Sequence, residues 1–282
     1  MTLPPGKRVP SLTVYNQLIP NPIDQYPCTH SRRPMDMMRQ TRAIFFEMKG
    51  AYGWPRVRLE LVRLKVRAGK ERVRKLMHAN GLRARGKKKF RVTTDSGHGL
   101  PVSPNLLERR FDVDEPNRVW SGDITYAWSD EGWLYLAVVI DLFGRQVVDF
   151  SMGERMTRAL VIDRLRIAWF RRRPAAGLIF HSNRGSKYAS EDFQRQLTAF
   201  AIKGSMSRKG DCWANAVTET LFGSLKVELL HEMRFRGRRL TKDEVPDWLT
   251  CYNAKRLHST LGYMSPIAFE KKNLAEESKL AA

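Results

Sequence analysis

With 282 residues, 42% hydrophobic and 28% charged, the chain can bury a substantial core and has room for two or three domains. Fifty Lys and Arg against 29 Asp and Glu give a net charge of +21, and residues 1–110 hold 24 of the basic side chains but only 7 of the acidic ones, which points the N-terminal third at a polyanion such as DNA or RNA. The longest apolar run, Leu134 to Ile140, is too short to span a bilayer, and Cys28, Cys212 and Cys251 form neither an even disulfide framework nor a C-x-x-C pair, which excludes a stapled secreted scaffold and fits a reducing cytoplasm.

In chain order, residues 1–36 are proline-rich, lack a helical period and read as an irregular arm. Residues 37–91 carry three short helical patterns. The first has Met38, Ile44, Phe45 and Met48 as its apolar positions and ends at the Gly50-Ala51-Tyr52-Gly53-Trp54-Pro55 break. The second interleaves Val57, Leu61 and Leu64 with Arg56, Arg58, Arg63 and Lys65. The third buries Val73, Leu76 and Met77, turns Arg72, Arg74 and Lys75 outward, and meets Gly81 as a C-terminal cap. Three such helices fit a helix-turn-helix DNA-binding domain or a small bundle with a solvated basic face. Lys87, Lys88 and Lys89 follow, suited to phosphate contacts that read no sequence, and residues 92–116 form a linker.

From residue 117 the period changes to two. Strands are expected over 118–128, 133–141 and 146–151, joined by short turns as an antiparallel meander. A helix over 157–170, a strand over 178–182, a helix capped by Ser190 and running to 200, a strand over 202–206 and a long helix over 214–230 come next. That order predicts an α/β fold: a ribonuclease-H-like mixed sheet, occupying 117–232, preceded by the small all-α domain. Residues 233–282 read as a C-terminal helical extension and tail, with a helix near 242–252.

Three polar residues stand where chemistry needs them. Asp123 lies inside an apolar strand, a costly place for a carboxylate unless it is paired or holds a cation. Asn183 follows the fourth strand, which this fold sets beside the first. Glu219 opens the long helix, with 35 residues between it and Asn183. Oxygen ligands of this kind suit a hard divalent ion such as Mg²⁺, with Mn²⁺ as a substitute, and paired ions serve in-line phosphoryl displacement. Lys226 lies two turns beyond Glu219 on the same face, either a phosphate contact or a solvated lysine. Asp141 reads equally as a site residue or a turn cap, Arg184 as a phosphate contact or a turn residue, and His181 and Ser182 as loop supports.

Five blocks carry a family resemblance: Tyr52-Gly53-Trp54-Pro55-Arg56 with Val73 through Met77; Trp120 through Thr125; His181-Ser182-Asn183-Arg184-Gly185-Ser186-Lys187-Tyr188; Gly210 through Glu228; and Tyr252 through Pro266. In order and spacing the chain resembles the second-frame (OrfB-type) transposases of the IS-three family of bacterial insertion sequences, within the retroviral-integrase superfamily. The resemblance implies an integrase catalytic core with Asp123, Asn183 and Glu219 as its catalytic and metal-binding positions. It further implies Mg²⁺-dependent cleavage and strand transfer at element ends, double-stranded DNA as partner and substrate, an upstream-frame OrfA-type protein or fusion, and a homo-oligomer assembled on DNA in the bacterial cytoplasm, at the nucleoid. The family pattern has aspartate at the position of Asn183 and usually at that of Ala214. An amide oxygen can ligate a metal but brings no charge. An impaired transposase and a catalytically inactive DNA-binding relative therefore both stand as readings. A structure-selective nuclease of the same fold fits less well with the helix-turn-helix and the Tyr252–Pro266 block.

Overall fold

The computed structural model describes residues 33–86, 100–108, 112–208 and 216–280. The 1–32 arm, Lys87, Lys88, Lys89 and Ala214 lie outside the described residues. Helices α1 (Arg33–Glu47), α2 (Trp54–Arg63) and α3 (Lys70–Ala79) come first. Pro55 sits in the first turn of α2, where its missing N–H costs nothing. Gly81 closes α3 with φ +66°, and its N–H and that of Leu82 bond back to the His78 and Met77 carbonyls, so the expected glycine cap is present as a Schellman motif.

Strands β1 (Val119–Ser129), β2 (Gly132–Asp141) and β3 (Val147–Gly153) form the antiparallel meander. Helix α4 (Arg158–Arg172) leads to β4 (Ile179–Ser182), which pairs parallel with β1, and α5 (Glu191–Ala199) leads to β5 (Lys203–Met206), parallel with β4. The order across the sheet is β3-β2-β1-β4-β5. Period-two alternation along β2 feeds two cores. Leu136, Val138 and Ile140 pack with Leu221, Leu225, Val245 and Leu249 on one face. Ala137 and Val139 pack with Leu165, Ala168, Phe193 and Leu197 on the other. This is the expected ribonuclease-H-like mixed sheet behind an all-α unit.

Three local expectations need correction. Ser190 precedes α5, but its hydroxyl donates to the Lys187 carbonyl at 2.7 Å and caps no helix N–H. The long helix is two pieces, α6 (Ala216–Leu225) and a π-helical turn over Lys226–Leu230, closed by the His231 N–H on the Lys226 carbonyl. The C-terminal segment holds two helices where the periodicity indicated one. Helix α7 (Arg238–Ala254) starts earlier than the periodicity indicated and carries Pro246 inside it, and an unforeseen helix, α8 (Pro266–Leu280), ends the described chain.

Between α7 and α8 the chain binds the helical unit to the sheet. Leu257, fully buried, belongs to the same apolar cluster as Ile44, Tyr52, Val57, Leu61, Val73 and Met77. The Tyr52 hydroxyl accepts the Leu257 N–H at 2.8 Å. Arg256, also buried, pairs with Glu228 of the π turn at 2.6 Å, and the Trp248 indole donates to the same carboxylate at 3.2 Å. Arg85, from the chain after α3, donates to the Glu228 carbonyl. A buried charge pair of this kind is retained only when its remaining polar atoms are met, as they are here.

Candidate active site

The parallel β1–β4 ladder ends at the pair Gly122 and Ser182. One residue further along each strand are Asp123 and Asn183, so the ladder itself delivers the two side chains to one point. Gly122 is required there: a Cβ would sit 2.4 Å from the Phe180 ring, which lies across the strand. Asn183 Nδ2 donates to Asp123 Oδ1 at 2.7 Å, and the Ile124 N–H donates to the same oxygen at 2.8 Å. Asn183 Oδ1 accepts the Gly185 N–H at 2.8 Å. The two partners dictate the amide orientation, because the reversed amide would set oxygen against carboxylate and N–H against N–H.

Glu219 stands in the first turn of α6, exposed, and burial of part of its carboxyl raises its pKa. Its position is set by the preceding residue. The Thr218 hydroxyl meets the Ser121 hydroxyl at 2.9 Å, both buried, which pins the start of α6 to β1 two residues from Asp123. Among the described residues Glu219 itself makes no hydrogen bond or ion pair to Asp123 or Asn183. Lys226 lies close enough to Asp123 for the carboxylate to oppose the lowering of its pKa that burial causes, and its ammonium sits 5.3 Å from the centre of the Tyr126 ring. Tyr188, buried, is a further neighbour: burial first, then Asp123, push its hydroxyl well above the ordinary value.

The remaining expectations resolve as follows. Asp141 is a turn cap: fully buried, it accepts the Asn117 N–H at 2.7 Å and the Phe143 N–H at 3.1 Å. Arg184 donates to the Ser207 carbonyl at 2.7 Å and so ties its own loop down. His181 bonds the Ser205 hydroxyl at 2.9 Å, a support for the loop. Arg72, Arg74 and Lys75 are exposed on α3 as expected, with Arg74 held by Glu71 at 2.8 Å. Ser121, Thr218 and Tyr188 were not singled out from sequence. Ser121 was findable, since period two places it on the Asp123 side of β1.

A hard divalent cation needs oxygen donors, and the atom that Asn183 turns toward Asp123 is a nitrogen bearing hydrogens. Its oxygen is engaged by Gly185. Among the described residues no group of three His, Cys, Asp or Glu side chains is placed to hold a metal ion. As they stand, these residues do not fit a three-carboxylate metal centre. The amide hydrogen bond occupies Asp123 Oδ1, one of the carboxylate oxygens that would hold such an ion.

The sheet order, the flanking helices and the strand-end position of Asp123 and Asn183 define an integrase core of the polynucleotidyl transferase kind. Comparison with known proteins agrees: residues 113–212 and 201–266 match families described as Integrase core domain, and residues 36–90 match one described as HTH-like domain. The chain is 45% identical over 234 residues to the transposase InsF for insertion sequence IS3A of Escherichia coli K12, covering 83% of this chain and 81% of that protein. It is 40% identical over 247 residues to an uncharacterized 31 kDa protein of insertion element IS600 from Shigella sonnei, covering 85% and 91%. Among solved structures, the HTLV-2 integrase catalytic core domain in complex with magnesium aligns at TM-score 0.44 and 20% identity over 55% of this chain and 97% of that one. The chain belongs to the IS3-family transposases.

Proposed function

We propose that this protein binds the double-stranded ends of an insertion sequence and descends from enzymes that cut and join them, with its own cleavage and strand transfer impaired by Asn183. The 2.7 Å hydrogen bond from Asn183 to Asp123 carries the reading. It occupies Asp123 with a neutral donor, so Asp123 and Glu219 remain as the only carboxylates of the catalytic set. Asp123 and Glu219 act at the scissile phosphate, Lys226 holds that phosphate beside Asp123, and α3 with Arg72, Arg74 and Lys75 grips the backbone alongside Lys87, Lys88 and Lys89. Mg²⁺, or Mn²⁺ in its place, is the ion a restored site takes. An upstream-frame OrfA-type partner and self-association on paired ends complete the working complex.

The test is Asn183→Asp, assayed on labelled element ends with Mg²⁺ or Mn²⁺ and with the upstream-frame protein supplied. The substitution is nearly isosteric and leaves the Gly185 N–H an acceptor. Recovering about 3–5 kcal/mol of transition-state stabilisation raises cleavage roughly a hundredfold to several thousandfold, with DNA affinity unchanged. A native chain that cleaves as fast as the variant overturns the impairment. A variant that folds and binds ends yet stays silent in both metals favours the second reading, a non-catalytic protein acting on element ends.

A further inference from the structure

The β1–β2 hairpin runs on past the rest of the sheet. Pairing of β1 with β4 stops at Gly122, and pairing of β2 with β3 stops at Tyr135. From Asp123 to the turn, β1 therefore has a strand neighbour only on its β2 side among the described residues. Period two gives this ribbon two different faces. Thr125, Ala127, Ser129 and Leu134 are buried on one, and the Asp130 N–H ties the turn to the Phe235 carbonyl at 2.9 Å. Tyr126, Trp128, Trp133 and Tyr135 share the other face, because Tyr126 lies opposite Tyr135 and Trp128 opposite Trp133.

On that second face Trp128 is 55% exposed and Trp133 44%. Their rings meet edge to face with centres 4.8 Å apart, and Tyr126 meets Trp133 in the same way at 4.9 Å. Single exposed apolar side chains are ordinary, but two adjoining indoles on a ribbon anchored from behind make a contiguous patch. The paired strands hold the rings in place, so little ordering is lost when a flat partner lands on them.

The patch adjoins the candidate active site. Tyr126 and Trp128 lie three and five residues beyond Asp123, about 10 and 17 Å along the strand. Asp123 and Tyr126 leave β1 on opposite faces, but the open edge of the strand joins them. Lys226, which feels the Asp123 carboxylate, also sets its ammonium 5.3 Å from the centre of the Tyr126 ring. The acids of the turn are already engaged: Asp130 pairs with Arg234 at 3.2 Å, and Glu131 accepts the Arg238 N–H at 2.8 Å. A cation beside flat aromatic rings suits a nucleotide, with phosphate on the ammonium and base on the rings. A base inside a duplex keeps both faces in its own stack, so only an unpaired base can take this place.

We propose that Trp128 and Trp133, with Tyr126, form a stacking site for an unpaired nucleobase of the DNA end whose phosphate Lys226 holds beside Asp123. This rests on the reading that the protein acts on DNA ends, and gives it a contact that neither α3 nor the carboxylates supply. A strand crossing the active-site edge is drawn out of its duplex and laid across the hairpin. Every base has a flat face, so the site accepts any of them.

The experiment uses the full chain and three probes: a blunt duplex, the same duplex with a short unpaired overhang, and that duplex with the overhang made abasic. The two overhangs carry the same phosphates, and all binding is measured at one salt concentration. The native chain binds the base-bearing overhang roughly tenfold tighter than the abasic one, and its tryptophan fluorescence falls as the rings stack. Trp128→Ser with Trp133→Ser binds both overhangs equally and keeps its affinity for the blunt duplex. Trp128→Phe with Trp133→Phe retains most of the preference, since flat rings remain. Phe170→Ser, a control on an exposed ring of α4 packed against Phe200, leaves the preference whole. Equal binding of the two overhangs by the native chain overturns the proposal, and so does a preference that survives in the folded double serine variant. If that variant melts lower and keeps the preference, the indoles only stabilise the hairpin; if it loses self-association and keeps the preference, the face belongs to a second copy. Both results overturn the proposal. Should the double serine variant fail to fold, Trp128→Ser alone, at the more exposed ring, carries the same comparison. A native chain that binds none of the three probes overturns the DNA-binding reading itself, a result distinct from these.

Discussion

The hydrogen bond from Asn183 to Asp123 joins a neutral amide to a carboxyl oxygen. An aspartate in place of Asn183 would set two carboxylate oxygens at the distance where the amide now donates, and only a proton or a cation between them relieves that repulsion. Glu219→Gln, made in the Asn183→Asp background, should abolish the recovered cleavage and leave end binding within about twofold, a split that gel shift and cleavage assays on the same sample separate. Unchanged cleavage would remove Glu219 from the site. Asp141 offers a test away from chemistry. Burial lifts its pKa to about 6, against 3.8 ordinarily, despite two backbone N–H donors. Between those values the folded protein holds a proton that the unfolded chain has shed, so stability falls as pH rises through the window. Relative to Asp141→Asn, the native chain should lose up to about 3 kcal/mol between pH 4 and 7, read from urea unfolding of both proteins. A constant gap across that range would mean that Asp141 keeps an ordinary pKa.

At the scale of elements, the β1–β4 ladder and the start of α6 set the site. Phe180 lies over Gly122, and no side chain fits between them. Gly122→Ala should cost about 1–3 kcal/mol through overpacking, and Phe180→Leu should recover part of it; calorimetric melting of the two variants checks both. Equal stability of Gly122→Ala and the native chain would show that β4 can shift freely. Strand and helix existence was readable because the periods of two and 3.6 are local properties of the chain. The Asn183–Asp123 meeting followed too, since a parallel neighbour of β1 brings both strand ends together. The Ser190 cap failed because its hydroxyl found the Lys187 carbonyl, a competition that a cap rule does not see. The π turn escaped because nothing in its pattern differs from an α-helix; it coincides with Glu228, which Arg85, Trp248 and Arg256 all hold.

Over the whole molecule the decisive feature is that the helical unit and the integrase core share side chains. Leu257 completes the apolar cluster of the first three helices, about 200 residues away in sequence. Leu257→Ala should therefore destabilise the helical unit by about 2–5 kcal/mol, visible as earlier loss of hydrogen-exchange protection in α1–α3 than in the sheet. Uniform loss across both would place Leu257 in a single cooperative core. The same sharing means that cutting away the first hundred residues to test their role in DNA binding would expose Leu257 and strip the Tyr52 hydroxyl from its N–H as well. Charge removal on α3 is the cleaner test. Arg72→Gln, Arg74→Gln and Lys75→Gln together should weaken duplex binding and flatten its salt dependence by about 0.9 for each phosphate released, without lowering the melting temperature, because all three are exposed. A native salt slope would move the DNA-binding surface off this helix. No helix among the described residues is long and apolar enough to cross a membrane.

By itself the sequence determined the period of the three N-terminal helices and of the five strands, the basic bias of the first third and the spacing from Asp123 through Asn183 to Glu219. Each of these is carried by residues near one another in the chain or by their order along it. Tertiary structure alone decided which way the Asn183 amide faces, that Thr218 anchors α6 through Ser121, and that Arg256 meets the Glu228 carboxylate. These depend on atoms from distant segments arriving within about 3–6 Å of one another, the range over which hydrogen bonds and charge pairs act. No local pattern encodes that arrival, so it becomes visible only once the sheet and the C-terminal segment have closed around the helices.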